Sequence, residues 1–425
     1  MQLVAYGAQD IYLTGQPQIT FFKSVYRRHT NFAIESIQQT INGSVAAGAR
    51  VTVTISRNGD LLKNLWVQYN PSLLVPAGGA TGMGADLSHS LFNQLELEIG
   101  GQLIDRQYGL WLTVWRDLVE CNPTGAQGEL TAGGQEPALN AVLDAGPSTK
   151  YQRMSYTHQS GSAVTTTSAP TEAYVPMRFW FCRNPGLAIP LIALQYHEVK
   201  FNIQFALASA YLFGGTTTSN IASSNFVVYA DYVYLDTTER RQFAQNAHEY
   251  LIDQLQFQQE SGSGTSSSAT YRLNFNHPIK ELIWIGTPPT ALPGAVSSVN
   301  NVTGGATPAP ITSASGSAST MQVKIILNGT DRFTARNLKY FTRNQIWECH
   351  TGFGATGVAD SIALYSFALR PEEHQPSGTC NFSRIDTAQL SFTGTNEQVN
   401  AITIFAVNYN VLRIMSGMGG LAYSN

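Results

Sequence analysis

Charge is scarce in this chain. Only 12% of its 425 residues are Asp, Glu, Lys or Arg, and the formal net charge is -3. A nucleic-acid-binding chain usually carries a basic surplus to neutralise phosphates, so the composition argues against that class. The one small basic cluster, Lys23, Arg27, Arg28 and His29, reads as an interface or a solvated face. Long apolar runs are missing too, and none approaches the ~20 residues that span a bilayer as a helix. The opening MQLVAYGAQD lacks a secretory-signal pattern, so export by the usual route is not expected. Cysteine is limited to Cys121, Cys182, Cys349 and Cys380, with no Cys-x-x-Cys pair, which suits a reducing compartment or simple burial.

Catalytic signatures are equally thin. There is no Gly-x-Ser-x-Gly elbow and no phosphate loop ending in Gly-Lys-Ser/Thr. His197-Glu198 and His248-Glu249 each begin like a zinc-protease helix, but Phe201 and Ile252 stand where the second histidine must lie to share the metal. No two of the eight histidines are two or four residues apart. GFGATG, residues 352 to 357, matches a dinucleotide fingerprint, with Glu372 and Glu373 near the place of a ribose-binding acid. Its context fails: VADSIALYSFAL runs straight into Pro371 without a helical stripe to present amides to pyrophosphate. The expectation is a glycine-rich loop in a chain that is not an enzyme and holds no cofactor or metal.

What the chain does have is repetition. FCRNPGLAIP (181 to 190) sets Phe181 ahead of Pro185 and Pro190, and FALRPEEHQP (367 to 376) repeats the spacing with Phe367, Pro371 and Pro376. Proline has no amide donor and a fixed φ, so this punctuation marks loop geometry. Other matches follow in the same order: IESIQ from Ile34 with IDQLQ from Ile252, LLKNLWV from Leu61 with PIKELIWI from Pro278, ELEIGGQ (96 to 102) with KIILNGT (324 to 330), and ADYVYL ending at Leu235 with VNYNVL ending at Leu412. The offset shrinks from 228 residues at Gly101 and Gly329 to 186 at Phe181 and Phe367. An extra low-complexity loop in the first copy, residues 121 to 170, accounts for the change. Ordered matches of this kind indicate a duplicated unit.

The unit is a β-sandwich. VTVTIS (51 to 56), LELEI (95 to 99), FNIQF (201 to 205), LQFQ (255 to 258) and RLNF (272 to 275) alternate apolar with polar residues, as half-buried strands require. Asn-Gly at 42, 58 and 328 suits tight hairpin turns. Helical patterning is confined to LWLTVWRDLVE (110 to 120), where Trp111, Val114 and Leu118 share a face, and to TERRQFAQNAHEY (238 to 250), which reads as the connector between copies. Each copy is long enough, at roughly 160 to 210 residues, to bury about 70% of its unfolded surface. Six tryptophans admit a second reading, a carbohydrate-binding β-sandwich with aromatic sugar platforms. Trp66 and Trp284, however, fall in matching strands within one residue of register, which favours core packing, and Trp111 and Trp115 share a helical face.

Several long strings resemble one protein family: QLVAYGAQDIYLTGQPQITFFKSVYRRHTNF at the start, PGLAIPLIALQYHEVK, HEYLIDQLQF, RLNFNHP and QPSGTCNFSRID within, and NYNVLRIMSGMGGLAY at the end. They resemble the major capsid proteins of large icosahedral nucleocytoplasmic DNA viruses, nearest to those of the chlorella viruses of algae. The resemblance runs from residue 2 to residue 424 and departs from the family in residues 121 to 170 and roughly 286 to 320, which are expected as variable surface loops.

This resemblance implies an all-β fold, a tandem double jelly roll of two eight-stranded antiparallel sandwiches with short helices in the connections. It divides the chain into an N-terminal arm (1–26), a first jelly roll (27–235), a connector (236–248), a second jelly roll (249–412) and a C-terminal tail (413–425). It implies a homotrimeric, pseudo-hexagonal capsomer that tiles an icosahedral shell with its neighbours, minor capsid proteins and an internal membrane as further partners, no direct nucleic-acid contact, and a place in a virion capsid assembled in the host cytoplasm. The repeated prolines would mark the same loop in both sandwiches, and the two termini are candidates for contacts beyond the parent sandwich. Glycosylation is implied as well. Asn42, Asn301, Asn328 and Asn381 satisfy Asn-x-Ser/Thr; Asn42 and Asn328 already have a role in Asn-Gly turns, so Asn301 in the variable loop is the first candidate.

Overall fold

A computed structural model describes residues 7–74, 82–83, 87–120, 150–156, 171–207, 212–213, 221–222, 225–260, 268–286, 321–352, 354, 362–394 and 402–423. The first half builds β1 (Phe32–Gln39), β2 (Arg50–Thr54), β3 (Leu61–Tyr69), β4 (Phe92–Ile99), β5 (Gln102–Tyr108), β6 (Ala173–Pro176), β7 (Val199–Phe205) and β8 (Phe226–Leu235). These pair antiparallel in two sheets, ordered β1-β8-β3-β6 and β2-β7-β4-β5. The second half builds β9 (His248–Glu260), β10 (Ser268–Arg272), β11 (Pro278–Gly286), β12 (Gln322–Leu327), β13 (Thr330–Asp331), β14 (Ile362–Ser366), β15 (Ala388–Thr393) and β16 (Ile402–Met415). Their orders are β9-β16-β11-β14 and β10-β15-β12-β13. Each strand of the second sandwich thus stands where its counterpart eight places earlier stands in the first. The fold is a double jelly roll.

Strand alternation determines what is buried. Val51 and Val53 of β2, Leu95 and Leu97 of β4, and Phe201 and Ile203 of β7 enter the first core beside Trp180, Phe181 and Tyr232. Trp284, Phe341, Leu390 and Phe392 fill the second core. The hairpins β4-β5 and β12-β13 close on the same two-residue turn, Gly100-Gly101 with φ of 60° and 83° and Asn328-Gly329 with φ of 50° and 76°. Two successive positive φ values match the right-handed twist of the flanking strands, which is why Gly and Asn occupy them.

Four local expectations need correction. The connector helix spans Thr237–Gln245 and stops there, because from His248 the chain pairs with β16 as a strand. The alternation at 272 to 275 outlasts its strand: β10 ends at Arg272, and beyond it the Gln256 and Gln258 side chains hydrogen-bond the backbone of residues 272, 274 and 276, which satisfies peptide groups without a ladder. Asn58-Gly59 adopts no positive φ and forms no such turn, whereas at Asn42-Gly43 only the glycine does. Trp66 is not a core residue. Leu65 and Val67 point inward while Trp66 faces out, half-buried, and its indole donates to Asp231 at 2.9 Å. The one-residue difference in register from Trp284 puts the two rings on opposite faces of their sheets.

Candidate functional site

The two sandwiches meet along one helix. α1 (Gly109–Val119) leaves β5 of the first sandwich and lies on the outer face of the β9-β16-β11-β14 sheet of the second. Leu110, Trp111, Val114, Trp115 and Leu118 pack there against Ile283, Ile285, Ile362, Leu364, Phe405 and Val407, with the Trp111 and Phe405 rings 5.2 Å apart. The sequence shows one apolar face on this helix; the structure buries it all round, since both sandwiches cover it. β11 consequently reads as a nearly continuous apolar run, buried on both faces.

The segment after the second-sandwich helix α2 (Gln345–Cys349) completes the junction. The amides of Gly352 and Gly354 donate to the Leu118 and Asp117 carbonyls at 2.7 Å each, and the Thr351 hydroxyl donates to Val119 O. The glycine-rich motif therefore begins by satisfying carbonyls at a helix C-terminus, where a pyrophosphate would be repelled. A Cβ on Gly352 would stand 2.4 Å from the Leu118 carbonyl carbon, so the glycine is a requirement of close approach. Residues 353 and 355–357 of the motif lie outside the described residues.

Beside this contact lies a buried polar cluster. His350 is held between Glu281, 2.9 Å from Nε2, and Glu372, 3.0 Å from Nδ1. Burial alone would lower the imidazole pKa, but the two carboxylates outweigh it and raise the pKa to about 9. Asp253 binds both Lys280 and Arg183 at 3.0 Å; burial opposes its ionisation, and these cations, with His374, bring its pKa below the ordinary value. The Lys280 ammonium lies 5.4 Å from the Tyr409 ring centre, and the Arg183 guanidinium lies 4.7 Å from that of Trp115. Burial also pushes Asp105 up to about 6, against the opposing pull of the Leu255 amide, Gln107 and Arg183. Two of these contacts cross between the sandwiches, Arg183 with Asp253 and Asp105 with the Leu255 amide, whereas His350, Glu281, Glu372 and Lys280 all belong to the second. Neither this cluster nor anything else among the described residues gathers three His, Cys, Asp or Glu side chains in metal-binding geometry.

Both termini reach beyond a single sandwich. Residues 7–31 lie almost wholly exposed, with Tyr12, Phe21, Phe22 and Tyr26 each more than 85% accessible, and Lys23, Arg27, Arg28 and His29 are exposed among them. At the other end β16 turns back as β17 (Met418–Leu421) and leans on the first sandwich. There Tyr196 N donates to Gly417 O, His197 bonds the Gly419 backbone, and Leu421 N donates to Gln102.

The repeated loop residues fall in corresponding loops and differ in detail. Phe181 lies in the short helix Trp180–Arg183, Pro185 begins a 3-10 turn, and Pro190 pairs with Leu61 at the start of β3. Phe367 follows β14 at once, half-buried; Pro371 is buried and Pro376 exposed. The second loop also returns to the start of its strand, but through Cys380 and Asn381 opposite Ile279 and Pro278. Topology is therefore repeated while the pairing residue slips by five relative to the prolines. Among the sequon residues, Asn42, Asn328 and Asn381 are exposed; Asn328 accepts from the Asp386 and Thr387 amides, and Asn381 from Ser383 N. Asn301 and Cys121 lie outside the described residues. Of the six tryptophans only Trp347 is exposed, at 85%. The junction itself was not visible from sequence: Asp253, the Lys280-Glu281 pair and His350 are far apart along the chain, and only the apolar run LIWI (282 to 285) hints at a second buried face.

Comparison with known proteins follows the same division of the chain. Residues 20–236 match a family model described as the major capsid protein N-terminus, and residues 239–420 match that of the large eukaryotic DNA virus major capsid protein. The chain is 44% identical to the major capsid protein of Pyramimonas orientalis virus and 43% identical to that of Paramecium bursaria Chlorella virus 1, covering 100% of this chain and 99% of each relative. It superposes on a quasi-atomic model of the PBCV-1 virus capsid with a TM-score of 0.70 at 37% identity, over 96% of this chain and 100% of that one. The Faustovirus major capsid protein shares the fold alone, with a TM-score of 0.64 at 13% identity over 96% and 94% of the two chains.

Proposed function

This chain belongs to the large eukaryotic DNA virus major capsid protein family, a structural component of the viral capsid, and we propose that three copies close into a pseudo-hexagonal capsomer. The observation that carries this reading is the repeat of strand order across two sandwiches joined by one helix-on-sheet contact. Two like units per chain and three chains place six similar sandwiches around one axis. Such a tile fills a flat lattice where a three-lobed one would leave gaps. Contacts within the trimer must be heterologous and close after three steps.

The work of the protein is geometric, and no bond-breaking step is needed for it. Large contacts within the capsomer make it effectively permanent, whereas contacts between capsomers act by number, summed over an icosahedral shell. The exposed apolar arm from Ile11 to Tyr26 supports a role beyond its own sandwich, against a neighbouring copy or a minor capsid protein. The place of work is the virion capsid, with assembly in the host cytoplasm, over an internal membrane and without direct nucleic-acid contact. Asn301 is the first candidate for glycan attachment; Asn301→Gln should lower the glycan mass of the intact protein, and an unchanged mass removes the site.

Electron microscopy of the purified protein tests the assembly. Pseudo-hexagonal outlines are expected, and two-lobed single-chain particles at every concentration would overturn the reading.

A further inference from the structure

The junction inside one chain has counterparts that the described residues leave largely uncovered: a sheet face on the first sandwich and a helix on the second. Strand pairing aligns the two outer sheet faces residue by residue. In the second sandwich Phe257, Phe405, Ile283 and Leu364 form a row across β9, β16, β11 and β14; in the first, Gln38, Tyr229, Trp66 and Pro176 form the same row across β1, β8, β3 and β6. The adjacent row is Thr403, Ile285 and Ile362 in one and Val227, Gln68 and Tyr174 in the other. The second-sandwich face is buried under α1. On its first-sandwich counterpart the connector helix reaches only the Leu61 and Val233 end, through Phe243, and among the described residues no helix covers these two rows: Trp66, Gln68, Tyr174, Pro176, Val227 and Tyr229 are all intermediate in accessibility.

A helix with a free outer face is also present: α2 buries Ile346 in the junction core and turns Trp347 outward. The 228-residue spacing that relates Gly101 to Gly329 also relates Leu118-Val119-Glu120 at the end of α1 to Ile346-Trp347-Glu348 in α2. Val119 packs against the junction core, whereas Trp347, in its place, is 85% exposed. We infer that α2 of one copy seats on the outer β1-β8-β3-β6 face of the next copy, with Trp347 against the Tyr229–Trp66–Tyr174 surface, repeating between chains the contact α1 makes within one.

Polarity supports the match because it changes in step on both sides. α1 is apolar and meets Ile, Leu, Phe and Val. The exposed face of α2 and the turn before it carries Lys339, Arg343, Asn344 and Glu348 around its single tryptophan, and the vacant face offers Trp66, Tyr174 and Tyr229 with Asn64, Gln68 and Asp231. Cations over aromatic rings and beside a carboxylate are complementary chemistry. Each chain supplies one helix and one face pointing onward in the ring, so three copies leave neither unsatisfied. This inference rests on the trimer reading and specifies its interface.

The test is a photo-crosslink. Trp347 is replaced by benzoylphenylalanine, nitrogen-15-labelled and unlabelled copies are co-assembled, and irradiated peptides are mapped by mass spectrometry. Mixed-isotope crosslinks into residues 61–69, 173–176 or 226–235 are expected. Trp347→Ala, which changes an exposed side chain, should raise the concentration at which trimers dissociate by about tenfold or more. Trimers whose crosslinks map elsewhere, or a Trp347→Ala protein as stable as the parent, would overturn this interface and leave the trimer standing. A parent protein that stays a single chain would overturn both.

Discussion

His350 shows how much a single side chain at the junction can control. Its pKa is raised to about 9 by Glu281 and Glu372 against the opposing effect of burial, so its charged form is bound preferentially by the folded state. The stability it contributes is complete below the ordinary imidazole value of 6.5 and is lost as pH rises through about 9. Thermal midpoints measured at steps between pH 7 and 10 should therefore fall, and His350→Gln should start lower at pH 7 and lose most of that slope. A slope unchanged by the substitution would assign the pH effect to other groups. Lys280→Met would leave Asp253 paired with Arg183 alone, and the expected loss in urea unfolding is about 1.5–3 kcal/mol, the worth of a hydrogen bond to a charged group. Trp284→Ala, in the second core, should cost more, about 3–5 kcal/mol, through the cavity it opens.

At the scale of elements, α1 and the segment from His350 to Gly354 act as one fastening. Gly352→Ala would force its methyl into the Leu118 backbone and separate that segment from the helix. The expected outcome is a lower thermal midpoint with the two sandwiches unfolding in separate steps; a single unshifted transition would contradict it. Most elements were legible in the sequence because most strands, unlike β11 and β16, have one wet face, and period two records that directly. The duplication was legible for the same reason, through paired segments such as ELEIGGQ and KIILNGT, which close on the same turn. What escaped notice has physical causes. The face of Trp66 depended on a one-residue register that two similar strings could not settle. The strand that follows Gln245 competed with a helical pattern in AQNAHEY and won through thirteen paired residues with β16. The polar junction joins residues dispersed along both halves, and no local pattern reports a contact of that range.

For the molecule as a whole, the repeated fold, with one helix and the Trp66–Tyr229 part of one sheet face uncovered among the described residues, supports the proposal that copies of the chain complete one another. The exposed arm and the leaning β17 hairpin extend the same logic to the ends of the chain. The most direct measurement is the solution mass of the purified protein by light scattering across a dilution series. The account predicts a mass three times the 46.2 kDa chain that persists on dilution. A mass of one chain at every concentration would contradict it.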